Sequence, residues 1–266
     1  MRAALVTGAS SGIGAACAAR LAASKWQVFA GVRRVGDAPR GTEEILLDVT
    51  SEEQILAAAR RIHRLDALVN NAGIAIAMPL EFIPLHELRR QLEVNVIGQV
   101  AVTQAFLPHL RRAHGRVVFV GSIAGKSALP FLGAYAASKH ALEALADSLR
   151  IELRPFGVSV SVVEPGTIKT PIWEKSAALA NSLADRAPAD LRELYGKRVA
   201  AFGRVAARRG AGGAPVEAVA RAVEQALTQE RPRTRKLVGR DAKLRAGVER
   251  LPDRIRDSVY ERVLLR

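Results

Sequence analysis

Residues 3–23 read AALVTGASSGIGAACAARLAA, and they hold a strand, a glycine turn and a helix in that order. Ala3–Thr7 is a short apolar run with the composition of a buried strand. Gly8 can adopt turn conformations closed to other residues. Gly12 and Gly14 let backbone and ligand approach closely and let the next helix pack on the sheet. That helix, Ala15–Ala23, starts with N–H groups that lack partners and with the positive end of its dipole, both suited to a pyrophosphate. A glycine pattern alone is a weak signal. Between a strand and a helix it becomes a phosphate-binding turn, with Ser10, Ser11 and Ile13 completing it.

The remaining chain repeats the strand–helix rhythm. Gln27–Val32 is a second strand, ending in Val32-Arg33-Arg34. A carboxylate there would hold the ribose 2′-hydroxyl of NAD(H). A guanidinium suits a 2′-phosphate, so Arg33 favours NADP(H) over NAD(H), unless both arginines are plain loop charges. Glu44–Leu47 is a third strand. Asp48, followed by Val49, can meet an adenine edge or cap the next helix. Asp66–Asn70 is a fourth strand that closes in Asn70-Asn71-Ala72-Gly73. Asn71 and Gly73 can fix the central sheet and leave room for a cofactor. Leu80–Val100 is expected to be largely helical. Within it, Asn95 lies among β-branched neighbours and is expected to be buried with partners, through a kinked helix or a water site beside Lys139.

Residues 115–139, GRVVFVGSIAGKSALPFLGAYAASK, carry the chemistry. A strand spans Gly115–Gly121, and Ser122 stands at its end. A helix begins near Tyr135, and Lys139 lies four residues on, on the same face. A hydroxyl, a phenol and an amine then converge at the carboxyl edge of a strand, where open α/β sheets bind ligands. A phenol with a pKa of about 10 is a poor base. A nearby ammonium is expected to lower that value, so that the phenol can exchange a proton with an alcohol or carbonyl oxygen held by Ser122. As an isolated pentapeptide, residues 135–139 are only an amphipathic helix start; the N-terminal turn gives them meaning.

Val158–Val163 is a sixth strand, opening into a turn with Pro165, Gly166, Ile168 and Thr170. Strands alternating with helices predict one α/β domain over residues 1–266, with a parallel, doubly wound sheet. Residues 171–214 read as a helical substrate lid with a glycine hinge at 210–213, though a helix pair packed on the body or a dimer contact would show the same apolar spacing. An amphipathic helix (215–229) and a last strand (236–239) follow. Residues 241–266 form a basic helical tail, interrupted at Pro252.

The net charge is +14, of which residues 192–266 carry +10. These charges are scattered at helical spacing without aromatic interleaving, so they read as solvated faces and not as a specific nucleic-acid surface. One cysteine, Cys17, excludes a disulfide framework and fits a reducing compartment. No apolar run spans a bilayer and no signal-peptide pattern is present, so a soluble cytoplasmic protein is expected. The five histidines lack metal-ligand spacing, and no metal is expected.

Taken together, the glycine turn, Asn70-Asn71-Ala72-Gly73, Asn95, Ser122, the Tyr135/Lys139 pair and Pro165-Gly166 resemble the short-chain dehydrogenase/reductase family over residues 1–240. The resemblance implies a seven-stranded Rossmann sheet and a homodimer or homotetramer. It implies Tyr135 as acid/base, Ser122 as the oxygen-positioning group, Lys139 as ribose binder and tyrosine tuner, and Asn95 as keeper of a relay water. Ser11 and Arg33 would contact the 2′-phosphate, Asp48 the adenine, and Ile168 and Thr170 the nicotinamide amide. Residues 238–243 and Leu251-Pro252 are similar to the retinol and hydroxysteroid dehydrogenase branch. That similarity suggests a bulky apolar alcohol or ketone, with Leu129, Pro130, Phe131, Met78 and Trp173 as candidate lining residues. A 3-oxoacyl thioester reductase meeting an acidic acyl carrier protein, and a non-catalytic NADP-binding sensor, are the alternatives.

Overall fold

The computed structural model describes residues 1–184 and 188–265. Residues 185–187 of the expected lid and Arg266 of the expected tail lie outside the described residues.

Seven strands form one parallel sheet: β1 (Ala3–Thr7), β2 (Gln27–Val32), β3 (Glu43–Leu46), β4 (Ala67–Asn70), β5 (Arg116–Val120), β6 (Ser159–Pro165) and β7 (Arg235–Val238). Their order is β3-β2-β1-β4-β5-β6-β7. The strand order therefore reverses between β1 and β4, and ligands of open α/β sheets sit in the crevice at that point. Every strand falls within two residues of its sequence expectation at both ends, β3 one residue earlier than expected.

The sheet is covered on both faces, as parallel sheets require. Side-chain alternation along β1 divides the core: Ala4 and Val6 face one layer, Ala3 and Leu5 the other. The first layer is built on α1 (Gly12–Ala23) and α8 (Val216–Thr228), through Cys17, Leu21, Val219 and Val223. The second is built on α2 (Glu52–Arg61), α4 (Gly98–Ala113) and α5 (Gly133–Glu152), through Ile55, Phe106 and Leu142. Each such fully buried side chain contributes roughly 1.5–3 kcal/mol. Burial pushes the Cys17 thiol up to about 12, so it is an inert packing residue.

The helix expected from Leu80 begins later. Residues 71–79 form neither helix nor strand, and α3 (Leu85–Leu92) starts after Pro84. Proline disfavours a helical conformation in the residue before it, and it suits a helix start. From α3 the chain passes through a π-helical turn, Glu93–Ile97, directly into α4. Asn95 sits in that turn, and its side chain bonds to Ile74 and Ser138 and not to its own helix.

After β6 come α6 (Ile172–Ala184) and α7 (Ala189–Ala211). The two ends of this helical insertion are tied together. Ala214 N–H donates to the Thr167 carbonyl at 2.9 Å, and Lys169 N–H donates to the Ala214 carbonyl at 3.0 Å. Of the expected glycine hinge, Gly210 belongs to α7, and Gly212 and Gly213 make the turn after it. The tail forms α9 (Arg240–Val248) and α10 (Asp253–Leu264), divided at Pro252. Among the described residues, no helix is long and apolar enough to cross a membrane.

Candidate active site

A cavity of about 600 Å³ opens at the carboxyl ends of β1, β2, β4, β5 and β6. Its floor begins at the first turn, where Gly8 and Gly12 hold positive φ of 64° and 57°. A Cβ on Gly8 would stand 2.9 Å from the Ala72 Cα, so only glycine fits the close passage of the two strand ends. Gly14 is not on the wall. Its Cβ position lies 2.2 Å from the Gly8 carbonyl oxygen, and its role is to let α1 close onto the turn. Ser11, at the start of α1, makes no side-chain cap, and no acidic residue occupies the first turn. The N–H groups there are thus left for a ligand.

Asn71 explains how the strand ends are joined. Its Nδ2 donates to the carbonyls of Thr7 (2.9 Å) and Gly8 (3.2 Å), while Thr7 Oγ1 accepts from the N–H groups of Asn71 and Ala72. Arg33 is exposed at the end of β2, lines the cavity, and pairs with no carboxylate among the described residues. Asp48 and Val49 line the adjoining wall. Asp48 accepts from Thr50 N–H and Oγ1, at 2.9 and 2.8 Å, in a turn of its own, while Ser51 caps α2. Pro165, Gly166, Ile168 and Thr170 line the opposite wall, with Ser10, Ile13 and Gly73 also in contact. These glycines, the free amide donors and the exposed Arg33 guanidinium are the features a nicotinamide dinucleotide needs.

At the inner end stand Ser122, Tyr135 and Lys139, all on the cavity wall. Tyr135 is 6% exposed and Lys139 5%. Lys139 Nζ donates to the Val120 carbonyl at 2.9 Å and lies 5.8 Å from the centre of the Tyr135 ring. Burial brings its ammonium down to about 8, with Glu143 acting in the other direction. Burial also pushes the Tyr135 phenol above its ordinary value; the Ser122 hydroxyl and the Arg245 guanidinium oppose that shift. The expected lowering of the phenol by Lys139 is therefore not the dominant effect, because desolvation outweighs it. Trp173, from α6, meets Tyr135 edge-on, with ring centres 6.0 Å apart.

Asn95 stands behind the wall, fully buried. Its Oδ1 accepts from Ile74 N–H at 2.9 Å, and its Nδ2 donates to the Ile74 carbonyl (2.9 Å) and to Ser138 Oγ (3.0 Å). Met78, Leu129, Pro130 and Phe131 do not reach the cavity. Leu129 packs with Leu132, Tyr260 and Leu264, and Phe131 stacks edge-on with Phe202 and Tyr195 of α7. Phe131 holds φ at +64°, a costly conformation for a bulky residue, and these contacts offset it. Arg89, Arg90 and Lys175 do reach the cavity; no motif marks them.

Residues 2–180 match the family model described as short chain dehydrogenase, and the chain belongs to that family of oxidoreductases. It is 36% identical over 279 residues to the NADPH-dependent 3-dehydrocapnine reductase of Ornithobacterium rhinotracheale, covering 98% of this chain and 96% of the relative. It is 37% identical over 257 residues to human retinol dehydrogenase 16, covering 90% and 81%. Among solved structures, a short chain dehydrogenase from Burkholderia cenocepacia in complex with NADP superimposes with a TM-score of 0.75 at 27% identity, covering 99% of this chain and all of that one.

Proposed function

We propose that the protein moves a hydride between NADP(H) and the carbonyl or secondary alcohol carbon of a bulky apolar substrate. One observation carries the reading. A buried phenol, a hydroxyl and a buried amine face one cavity beside a glycine turn fit for a dinucleotide. When bound, the nicotinamide supplies or takes the hydride. The chain's own residues manage the oxygen. Ser122 Oγ holds it by a hydrogen bond, and Tyr135 gives its phenolic proton to it in reduction, or takes the proton in oxidation. Lys139 keeps a positive charge beside the phenol and so favours the phenolate left behind in reduction. Asn95 holds the wall through Ile74 and Ser138. Trp173 closes the substrate side and excludes water from the reacting oxygen.

Arg33 supports the preference for NADP(H), as does the relative named as NADPH-dependent. The aromatic and aliphatic wall formed by Trp173, Ile172 and Ile74 supports an apolar substrate, as does the similarity to a retinol dehydrogenase. The test is Tyr135→Phe against wild type, in a screen of apolar ketones with NADPH. Turnover falls at least about a thousandfold, while calorimetry shows NADPH binding unchanged. A variant that retains turnover would remove the reading.

A second reading, a 3-oxoacyl thioester reductase, has one observation in its favour. A groove between α8 and β7 is lined by Lys126, Arg221, Arg233, Lys236, Arg240 and Lys243, a basic surface suited to an acidic carrier protein. It would be preferred if carrier-linked substrates exceeded free ketones in kcat/KM and lost that advantage in high salt.

A further inference from the structure

The C-terminal helices reach the segment that joins Ser122 to Tyr135. α9 packs on the turn at 123–125, and Tyr260 and Leu264 of α10 pack on Leu129 and Leu132. Between them lies Ser127, fully buried. Arg245 donates from Nη2 to the Ser127 carbonyl (2.9 Å) and to Ser127 Oγ (3.0 Å), and from Nε to the same Oγ (3.2 Å). Ser127 Oγ is 2.8 Å from the Tyr260 hydroxyl, which donates onward to Glu249 Oε1 at 2.6 Å. The proton order is therefore fixed. Arg245 gives to Ser127, Ser127 to Tyr260, and Tyr260 to Glu249. None of the buried side-chain polar atoms of Arg245, Ser127, Tyr260 and Glu249 lacks a partner, and a satisfied network of this kind specifies one geometry.

We infer that α9 and α10 are a working part of the active site. Arg245 is a positioning residue that pins the Ser122–Tyr135 segment through Ser127 and holds a second positive charge toward the Tyr135 phenol. The inference rests on Tyr135 as the acid/base. A guanidinium suits this task better than an amine. It presents several donors in a rigid fork, and it keeps its charge when buried. Lys139, by contrast, is brought down to about 8 and loses its charge as pH rises through that value. Arg245 then remains as the cation that favours phenolate. Burial pulls the guanidinium below its ordinary value and Arg209 adds to that, while Tyr260 and Asp241 oppose it, with Glu249 beyond the Tyr260 hydroxyl. Around Tyr135, Ser122 and Arg245 act directly, and Lys139, Arg33, Asp48, Arg89, Arg90, Glu93 and Lys175 line the same cavity.

The test reads Tyr135 itself, not turnover. Ultraviolet difference absorbance of tyrosinate is followed against pH at saturating NADP, subtracting Tyr135→Phe in each background so that Tyr195 and Tyr260 cancel. Arg245→Met moves the Tyr135 titration up by about one pH unit, a tenfold loss of phenolate at a given pH. Arg245→Lys recovers at least part of the shift below the pH at which a buried lysine loses its proton. If Arg245→Met does not fold, Arg245→Gln keeps a donor for Ser127 while removing the charge, and the same shift is expected. A Tyr135 titration indifferent to both Met and Gln would overturn the inference and leave Tyr135 as acid/base intact. Turnover surviving in Tyr135→Phe would instead defeat the underlying reading.

Discussion

Asn95 and Ile74 exchange two hydrogen bonds, Ile74 N–H to Oδ1 and Nδ2 to the Ile74 carbonyl, both at 2.9 Å, as two paired strands would. Gln91, four residues earlier, accepts from Ile76 N–H and donates to Ile74, both at 2.8 Å, and Gln99, four residues later, donates to Ala72 at 2.8 Å. Three amides on one helical face thus hold a segment that belongs to no helix or strand. The segment carries Ala72, Gly73 and Ile74 into the cavity wall. Asn95→Ala leaves the partly buried Ile74 N–H without its acceptor and should cost about 1–3 kcal/mol. Urea denaturation should show the midpoint fall at an unchanged slope. A loss under about 0.5 kcal/mol would mean that Gln91 and Gln99 suffice.

Lys139 affects stability with a definite sign. Its value in the folded protein, about 8, lies below the ordinary 10.5 of the unfolded chain. Between these two values the unfolded state binds more protons, so this group makes stability rise with pH across that window. Below about 8 the buried ammonium weighs against the fold by an amount on the order of 3 kcal/mol, partly offset by its bond to Val120. Lys139→Met should therefore be at least as stable as wild type at pH 7, although impaired in turnover. The difference between the two proteins should change between about pH 8 and 10.5, because other titrating groups cancel. A constant difference across that range would show that the ammonium is solvated in the protein.

Arg33 divides the two nicotinamide dinucleotides. It ends β2 on the cavity wall with no carboxylate partner among the described residues, so its charge is available to a 2′-phosphate. Arg33→Ala should raise the Kd for NADPH by roughly 10- to 100-fold, the loss of one charge-assisted contact. The Kd for NADH should stay within about twofold. Calorimetry with both cofactors decides it, and an equal effect on the two would assign Arg33 to general loop structure.

The strands and the glycine turn were legible in the sequence because they are local: β-branched runs bounded by glycine, and a turn whose φ values only glycine adopts easily. The convergence of Ser122, Tyr135 and Lys139 was legible too, since helical spacing and a strand end place all three at one edge. Electrostatics was not. Spacing sets Tyr135 beside Lys139, but burial decides which way each titrates, and burial depends on the whole fold. Leu129 and Phe131 were expected on the substrate wall. They turn away because Tyr260, Leu264 and Phe202, distant in sequence, supply their contacts. The amide spacing of Gln91, Asn95 and Gln99 was visible, but nothing local showed what it would hold. The later start of α3 had a signal in Pro84.

Trp173 is the residue through which substrate size should be felt. It stands on the first turn of α6, half-buried, edge-on to Tyr135, and it also packs with the Leu129, Leu132 and Tyr260 cluster under the tail. It therefore joins the reacting end of the cavity to the helices that cover it. Trp173→Ala removes an apolar wall without touching the glycine turn or Arg33. For a bulky apolar ketone, the lost contact corresponds to about 1.5–3 kcal/mol of apolar burial. KM should rise roughly 10- to 100-fold, with kcat changed far less, the pattern of binding that is equal in ground and transition states. For a small ketone that never reaches the indole, KM should hardly move. NADPH affinity should remain within about twofold in both cases. A fall in kcat equal for large and small ketones would instead mean that the indole orients Tyr135, and the substrate wall would then have to be sought at Ile74 and Ile172.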